Sequence, residues 1–203
     1  MNSLKGAVAT MVAACCLLTM DSCRDKNGPQ PVTGLGGTVL EQPTKAVDFT
    51  LTDQHGSTFR MADTKGKVVM MSFIQTDGGD AKAAEVRTVA DLLGANASGV
   101  VFVAVTLDPE RDTLAEMAAY SRQLGLFDIW NFVGGSPAEV KAVLFDYGVA
   151  VSSDPETPFG SYDREYFAPL RLIDKQGYIR TFINSDVTPA EVAKSIRLLL
   201  TLK

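Results

Sequence analysis

Val68–Ile74, with the sequence VVMMSFI, is a continuous and almost wholly apolar run bounded by Gly66 and Thr76. A short apolar run without a polar face is typical of a strand that is buried on both faces, as in a parallel sheet. A second such run lies at residues 100–107 (VVFVAVTL), and a weaker third lies at 130–133. These three runs predict the centre of a sheet that is covered by helices on both faces.

Helical and turn signals lie around these runs. Residues 48–52 alternate polar and apolar and predict a further strand, and 170–173 and 178–183 flank the turn sequence DKQG, which predicts a hairpin. Three helix starts carry the sequence of a capping box: Thr113–Glu116, Ser136–Glu139 and Thr188–Glu191. The order of elements, with a final hairpin and closing helix, predicts an α/β, thioredoxin-like fold with a central mixed sheet and helices on both faces.

The N-terminus has the layout of a secretory signal. A Lys near the start is followed by an uncharged run at residues 6–20, whose 15 residues are fewer than a membrane-spanning helix needs. We therefore predict a signal peptide at 1–22, a flexible tether at 23–45 and one thioredoxin-like domain at 46–203. The protein is expected to be exported to the bacterial periplasm or the outer cell surface.

Cys23 stands directly after this signal, in the sequence Ser22-Cys23. The arrangement resembles a bacterial lipoprotein signal, in which the Cys is acylated and becomes the new N-terminus. Asp21 departs from the usual pattern, so a plain cleaved signal or a short uncleaved anchor is the alternative. On the lipoprotein interpretation, Cys23 is the lipidation site and holds the protein at the membrane.

The composition excludes several classes of function. The chain has 203 residues and a net charge of −5, which argues against nucleic acid as the main partner because phosphate binding needs a basic face. Three Cys and one His exclude a zinc finger or a disulfide-dense scaffold. Cys15 and Cys16 lie inside the signal, so the predicted domain has no thiol. His55 lies in a turn and is predicted to be an exposed loop residue.

Several segments resemble the Sco/SenC family. They are 48–53 (DFTLTD), 66–69 (GKVV), 105–113 (VTLDPERDT), 137–141 (PAEVK) and 172–177 (LIDKQG). The resemblance covers roughly 48–183. It implies a membrane-anchored, thioredoxin-like protein that delivers or maintains copper for the assembly of cytochrome c oxidase.

The resemblance also implies where copper ligands should lie. In the family, the first buried strand is followed by Thr-x-Cys-Pro-Asp-x-Cys-Pro, and a His precedes the Asp of the Leu-Ile-Asp turn by about eight residues. Here residues 76–83 (TDGGDAKA) place Gly78 and Lys82 at the two Cys positions, and Tyr166 falls at the His position. All three ligands are missing together. No copper cofactor, no metal site and no catalytic residue are therefore expected, and thiol redox or peroxidase chemistry is excluded because each needs a thiolate.

We accordingly interpret the chain as a non-catalytic binding or accessory module, not an enzyme, with a protein partner in the cell envelope such as the components of respiratory oxidase assembly. A partner-facing surface is predicted at five residues, since exposed aromatics beside arginine suit a protein interface. They are Asp108, Arg111, Tyr162, Arg164 and Phe167. Asp108 and Arg111 belong to the loop 108–112 (DPERD), which is interpreted as structural or partner-facing. For Tyr162, Arg164 and Phe167, packing beneath a lid is an equal alternative, and Pro169 is left open as cis or trans.

Two other functions stay open at this point. Asp77, Asp80, Lys82 and His55 form a candidate for a new enzyme or hard-metal site, because carboxylate oxygens suit Ca²⁺ or Mg²⁺. A solvated helix N-terminus that favours acidic residues explains the same carboxylates more simply. The other function is ordinary Sco-type assembly with copper ligands supplied by a partner chain.

Overall fold

Eight strands and four α-helices make up the part of the chain that the structure describes. The structure is a computed structural model, and it describes residues 29–149 and 168–202. The strands are β1 (Thr38–Lys45), β2 (Thr50–Asp53), β3 (Thr58–Arg60), β4 (Val68–Ile74), β5 (Val100–Thr106), β6 (Trp130–Gly134), β7 (Leu170–Ile173) and β8 (Tyr178–Ile183). The helices are α1 (Asp80–Leu93), α2 (Leu114–Gln123), α3 (Pro137–Asp146) and α4 (Pro189–Thr201), and short 3₁₀ helices lie at Met61–Thr64 and Gly94–Gly99.

The strands form one mixed sheet in the order β1-β8-β7-β4-β5-β6-β2-β3. Strands β4, β5 and β6 are parallel to one another, and the remaining pairs are antiparallel. Every residue of β4 is buried, as the apolar run predicted. The predicted α/β fold with a central mixed sheet is confirmed.

Each face of the sheet carries its own hydrophobic core. Helices α1, α2 and α4 cover one face, where Met70, Phe102 and Leu172 point towards them. Helix α3 covers the other face, against Met71 and Phe73. Burial of both faces explains why β4 and β5 have almost no polar positions.

The first strand corrects the predicted tether. Thr38–Lys45 was assigned to a flexible segment ending at residue 45, but it pairs with β8 as an edge strand. The chain enters it through Gly37, where an added Cβ would lie 2.2 Å from the carbonyl oxygen of Phe182. Most positions of β1 are exposed, so its sequence lacks the apolar alternation that marks a half-buried strand.

The predicted helix starts are present. Ser136 and Thr188 each form a complete capping box with Glu139 and Glu191. At α2, the Thr113 side chain accepts a hydrogen bond from the backbone N–H of Glu116, which is half of the predicted box. These caps therefore fix the residues at which α2, α3 and α4 begin.

The predicted signal at 1–22 and the lipidation site Cys23 lie outside the described residues. Within residues 29–149 and 168–202, none of the helices has the length and apolar character needed to cross a bilayer.

Candidate functional site

The connection between β4 and α1 (residues 75–79) lies at the carboxyl ends of the parallel strands, where the resemblance predicts the family's site. Gly78 has a φ of +94°, a conformation that L side chains rarely adopt. An added Cβ on Gly79 would lie 2.3 Å from the carbonyl oxygen of Gln75, which is far inside van der Waals contact. The backbone of this connection therefore depends on both glycines.

Asp112 anchors this connection from the neighbouring loop. Its carboxylate is only 4% exposed and accepts hydrogen bonds from the N–H and hydroxyl of Thr76, at 3.1 and 2.5 Å. Its other oxygen accepts from the hydroxyl of Thr106 at 2.5 Å. The carboxylate thus joins the segments that follow β4 and β5. The sequence predicts a structural or partner-facing loop at 108–112, but no local pattern predicts these partners of Asp112.

Two residues of the predicted partner surface lie beside this connection. Arg111 donates to the carboxylate of Asp108 at 2.6 Å, and its guanidinium lies 3.8 Å from Asp77. The hydrogen bond to Asp108 is the main cause that raises the pKa of Arg111. The Arg111 side chain is 63% exposed, so this charge is available at the surface. The other three predicted residues, Tyr162, Arg164 and Phe167, lie outside the described residues, as does Tyr166.

Lys82 and Glu85 face a cleft of about 830 Å³ that opens between the start of α1 and the loop after β8. The Lys82 ammonium lies 3.8 Å from the Glu85 carboxylate, and the two side chains are 12% and 19% exposed. Burial raises the pKa of Glu85, and the positive charge of Lys82 acts in the opposite direction. Pro169 also lines the cleft, and no cis peptide bond occurs among the described residues.

The second predicted site is not assembled. Asp77 lies near Arg111, Asp80 accepts from the hydroxyl of Tyr120 at 3.0 Å, and Lys82 pairs with Glu85. His55 is exposed, as predicted, and its ring packs on Phe127 at 4.4 Å between centroids. Across residues 29–149 and 168–202, no group of three or more His, Cys, Asp and Glu side chains is close enough to hold a metal ion. The four predicted residues have separate partners and do not form one hard-metal site.

Neither the β4–α1 connection nor Lys82, in the first turn of α1, offers a soft metal ligand. Gly78 has no side chain, and a protonated Lys82 has hydrogen-bond donors but no lone pair for a metal. No Cys follows Cys23 in the sequence. Copper(I) prefers thiolate and thioether sulfur, so the side chains of this connection do not fit it.

Arg171 is a buried cation that sequence analysis missed. It is 3% exposed, donates to the carbonyl oxygens of Pro169 and Tyr147, and lies 4.6 Å from the ring centroid of Phe73. Burial lowers the pKa of Arg171 to about 10. The guanidinium therefore holds the two backbone positions that flank residues 150–167. The only signal in the sequence is that this arginine lies between apolar residues in 170–173, where a strand of a hairpin is predicted.

Comparison with known proteins gives concordant matches. A family model described as SCO1/SenC matches residues 38–201. The chain is 29% identical over 169 residues to the Protein SCO2 homolog, mitochondrial, of Danio rerio, which covers 78% of this chain and 59% of that protein. It is 25% identical over 158 residues to an SCO2-like protein of Rickettsia felis, covering 74% of each.

Solved structures match with similar coverage. ScoI of Bradyrhizobium japonicum with copper bound is 27% identical, with a TM-score of 0.63 over 76% of this chain and 98% of that chain. BsSco, described as a member of the Sco family of cytochrome c oxidase assembly proteins, is 20% identical, with a TM-score of 0.66 over 83% of this chain and 99% of that chain. At 20% identity the BsSco match shows the fold alone, and it agrees with the predicted thioredoxin-like arrangement.

Proposed function

The chain belongs to the SCO1/SenC family, and from that premise we propose that it is a non-catalytic binding or accessory module of the bacterial envelope that has kept the family fold without copper or thiol chemistry. The observation that carries the proposal is the donor set of the β4–α1 connection. A relative of this family, ScoI of Bradyrhizobium japonicum, is known with copper bound. Here the corresponding positions are Gly78, in the connection, and Lys82, in the first turn of α1, and the chain has no Cys beyond Cys23.

The backbone of the connection supports the same proposal. A side chain on Gly79 would meet the carbonyl oxygen of Gln75, and a residue other than glycine at position 78 would be strained. The family's Cys-Pro pair therefore does not fit this backbone without rearrangement. The chain therefore lacks the family's Cys ligands and also has a β4–α1 connection whose backbone conformation requires glycine at positions 78 and 79.

The partner we propose is a protein of the cell envelope, among them the components of respiratory oxidase assembly. One of the similar structures, BsSco, is a member of a family of cytochrome c oxidase assembly proteins. Asp108 and the exposed Arg111 lie at the rim of the connection and supply charges for such a contact. We also propose that Cys23 carries a lipid anchor. Mass spectrometry of the mature N-terminus should find an acylated Cys23, and an unmodified N-terminus elsewhere would contradict the anchor.

Copper titration tests the central proposal. The mature chain, without an affinity tag and with Cys23→Ser to remove the one remaining thiol, is titrated with Cu(I) and with Cu(II). The expected result is no stoichiometric binding of either ion, because neither residues 75–79 nor Lys82 offers a thiolate, thioether or imidazole at the family's ligand positions. Binding of one ion per chain tighter than micromolar would overturn the proposal.

A further inference from the structure

The cleft beside Lys82, called here the Lys82 cleft, has the dimensions of a ligand site. Its volume of about 830 Å³ lies within the roughly 300–1,000 Å³ usual for binding pockets. Lys82 and Glu85 of α1 form one wall, and Ile183, Val187 and Pro189 form an apolar wall on the other side. The cleft is open to solvent.

The charged wall has unused hydrogen-bonding capacity. The 3.8 Å between Lys82 and Glu85 is too long for a hydrogen bond, which needs roughly 3.2 Å or less. Neither side chain makes a hydrogen bond to any other residue in the part of the chain that the structure describes. Partial burial also raises the pKa of Glu85, and the charge of Lys82 acts in the opposite direction. Both groups face the cleft, so a bound ligand can add hydrogen bonds to their ion pair.

The chemistry of the two groups selects the ligand. Lys82 offers donors and Glu85 offers acceptors, so the matching group carries one acceptor and one donor side by side. A residue of an extended peptide has this arrangement, because its own N–H and C=O point to the same side of the strand and can face Glu85 and Lys82 together. A simple anion would be repelled by Glu85 and by Asp186 at the rim, and a simple cation would be repelled by Lys82.

We propose that the Lys82 cleft binds an extended peptide segment of a partner protein, with the C=O and N–H of one residue bridging Lys82 and Glu85 and an apolar side chain packed against Val187 and Pro189. The inference rests on the proposed function as a protein-binding module and names the chemistry of the contact. It gives a binding role to Lys82, which the resemblance places at one of the family's Cys positions.

A peptide library tests this inference. Random dodecapeptides displayed on phage are selected on the mature protein, and enriched sequences are synthesised with both ends capped so that only backbone amides and side chains can bind. Dissociation constants are measured by fluorescence polarisation. Loss of the charged donor should weaken binding by at least about tenfold in Lys82→Met, and loss of the charge in Glu85→Gln, whose amide oxygen still accepts, should weaken it by a smaller factor, about threefold to tenfold.

Lys141→Met is the matched control, because Lys141 is an exposed lysine on α3, which covers the opposite face of the sheet. It should bind the selected peptides like the wild-type protein. Melting curves confirm that each variant is folded, and Glu85→Gln tests the cleft if Lys82→Met does not fold. The inference is overturned if no peptide is enriched, or if both cleft variants bind as tightly as the control. A copper-binding wild-type protein would instead overturn the proposed function, so the two failures are distinguishable.

Discussion

Asp112 is a charged residue whose hydrogen bonds all lie inside the protein. It accepts from Thr76 on one side and from Thr106 on the other, and Thr106 in turn accepts from the backbone N–H of Asp108. A buried carboxylate is tolerated only when its oxygens are fully hydrogen-bonded. The network therefore fixes the β4–α1 connection against the loop that carries Arg111.

Replacing Asp112 tests the importance of this network. Asp112→Asn removes the charge that strengthens three hydrogen bonds. It also places an amide N–H₂ donor against a threonine hydroxyl that donates to the carboxylate in the wild-type protein. We expect the free energy of unfolding to fall by about 1–3 kcal/mol, measured by urea denaturation. Asp91→Asn is the control, because Asp91 pairs with Arg87 on the surface and its loss should change stability by less than about 0.5 kcal/mol. Equal effects of the two substitutions would contradict the assigned network.

At the scale of elements, the sequence predicts long apolar strands and capped helices well. Strand β4 and the N-termini of α3 and α4 follow directly from local sequence, because burial of both faces and capping each leave a distinct pattern. The edge strand β1 was missed because its mostly exposed residues carry no such pattern. The partners of Asp112 could not be predicted, since Thr76 is 36 positions away and only the fold brings them together.

The Lys82–Glu85 pair could be predicted in part from the sequence. Its spacing of three positions on one helix already favours contact between the side chains. The cleft that the pair faces depends on the loop after β8, which is about a hundred residues further along the chain, and no local pattern predicts it. Sequence analysis therefore identified Lys82 but not the wall opposite it.

The capping box of α4 predicts a dependence of stability on pH. The Glu191 carboxylate accepts from the N–H of Thr188 at 2.9 Å and from its hydroxyl at 2.8 Å, and these bonds lower the pKa of Glu191 below 4.5. The folded state therefore holds this proton less tightly than the unfolded state. The resulting stabilisation is present above pH 4.5 and is lost as the pH falls through the lower pKa of the folded state.

Glu191→Ala should accordingly lower the urea midpoint at pH 7, and its difference from the wild-type protein should shrink as the pH is lowered towards 3. Glu116→Ala is the matched control, because Glu116 occupies the equivalent position of α2 without the reciprocal half of the box. Its effect should be smaller at pH 7 and should change less with pH. A pH-independent effect of Glu191→Ala would show that the carboxylate does not act through the cap.

At the scale of the whole molecule, the two hydrophobic cores include no residue of the β4–α1 connection at the end of the sheet. The cores occupy the two faces of β4 and β5, whereas the β4–α1 connection lies beyond the last residue of β4. Substitutions in the connection therefore change the site without removing buried apolar surface. This separation explains how a fold with a TM-score of 0.63 to a copper-bound relative can carry a connection without copper ligands.

Restoring the missing side chains tests this separation. The triple variant Gly78→Cys, Lys82→Cys, Tyr166→His places two thiolates and an imidazole at the positions that the resemblance assigns to the copper ligands. Position 78 has open space for a side chain, but its φ of +94° makes any residue other than glycine strained, so the metal-free variant should be less stable than wild type. Cu(I) should bind with a stoichiometry of about one per chain and raise the melting temperature, because an ion that binds only the folded state stabilises it.

The matched control is Gly78→Ser, Lys82→Ser, Tyr166→His, which imposes the same backbone strain without thiolates; both variants carry Cys23→Ser. Cu(I) affinity is measured by competition with a chromophoric chelator, and melting curves are recorded with and without the ion. Only the cysteine variant should compete with the chelator. If it does not, the glycine-dependent backbone of residues 75–79 itself excludes copper, and the fold would no longer be a preserved scaffold for the family's site. If the serine control binds equally well, copper is held elsewhere, and the assignment of positions 78 and 82 as the lost ligand positions is wrong.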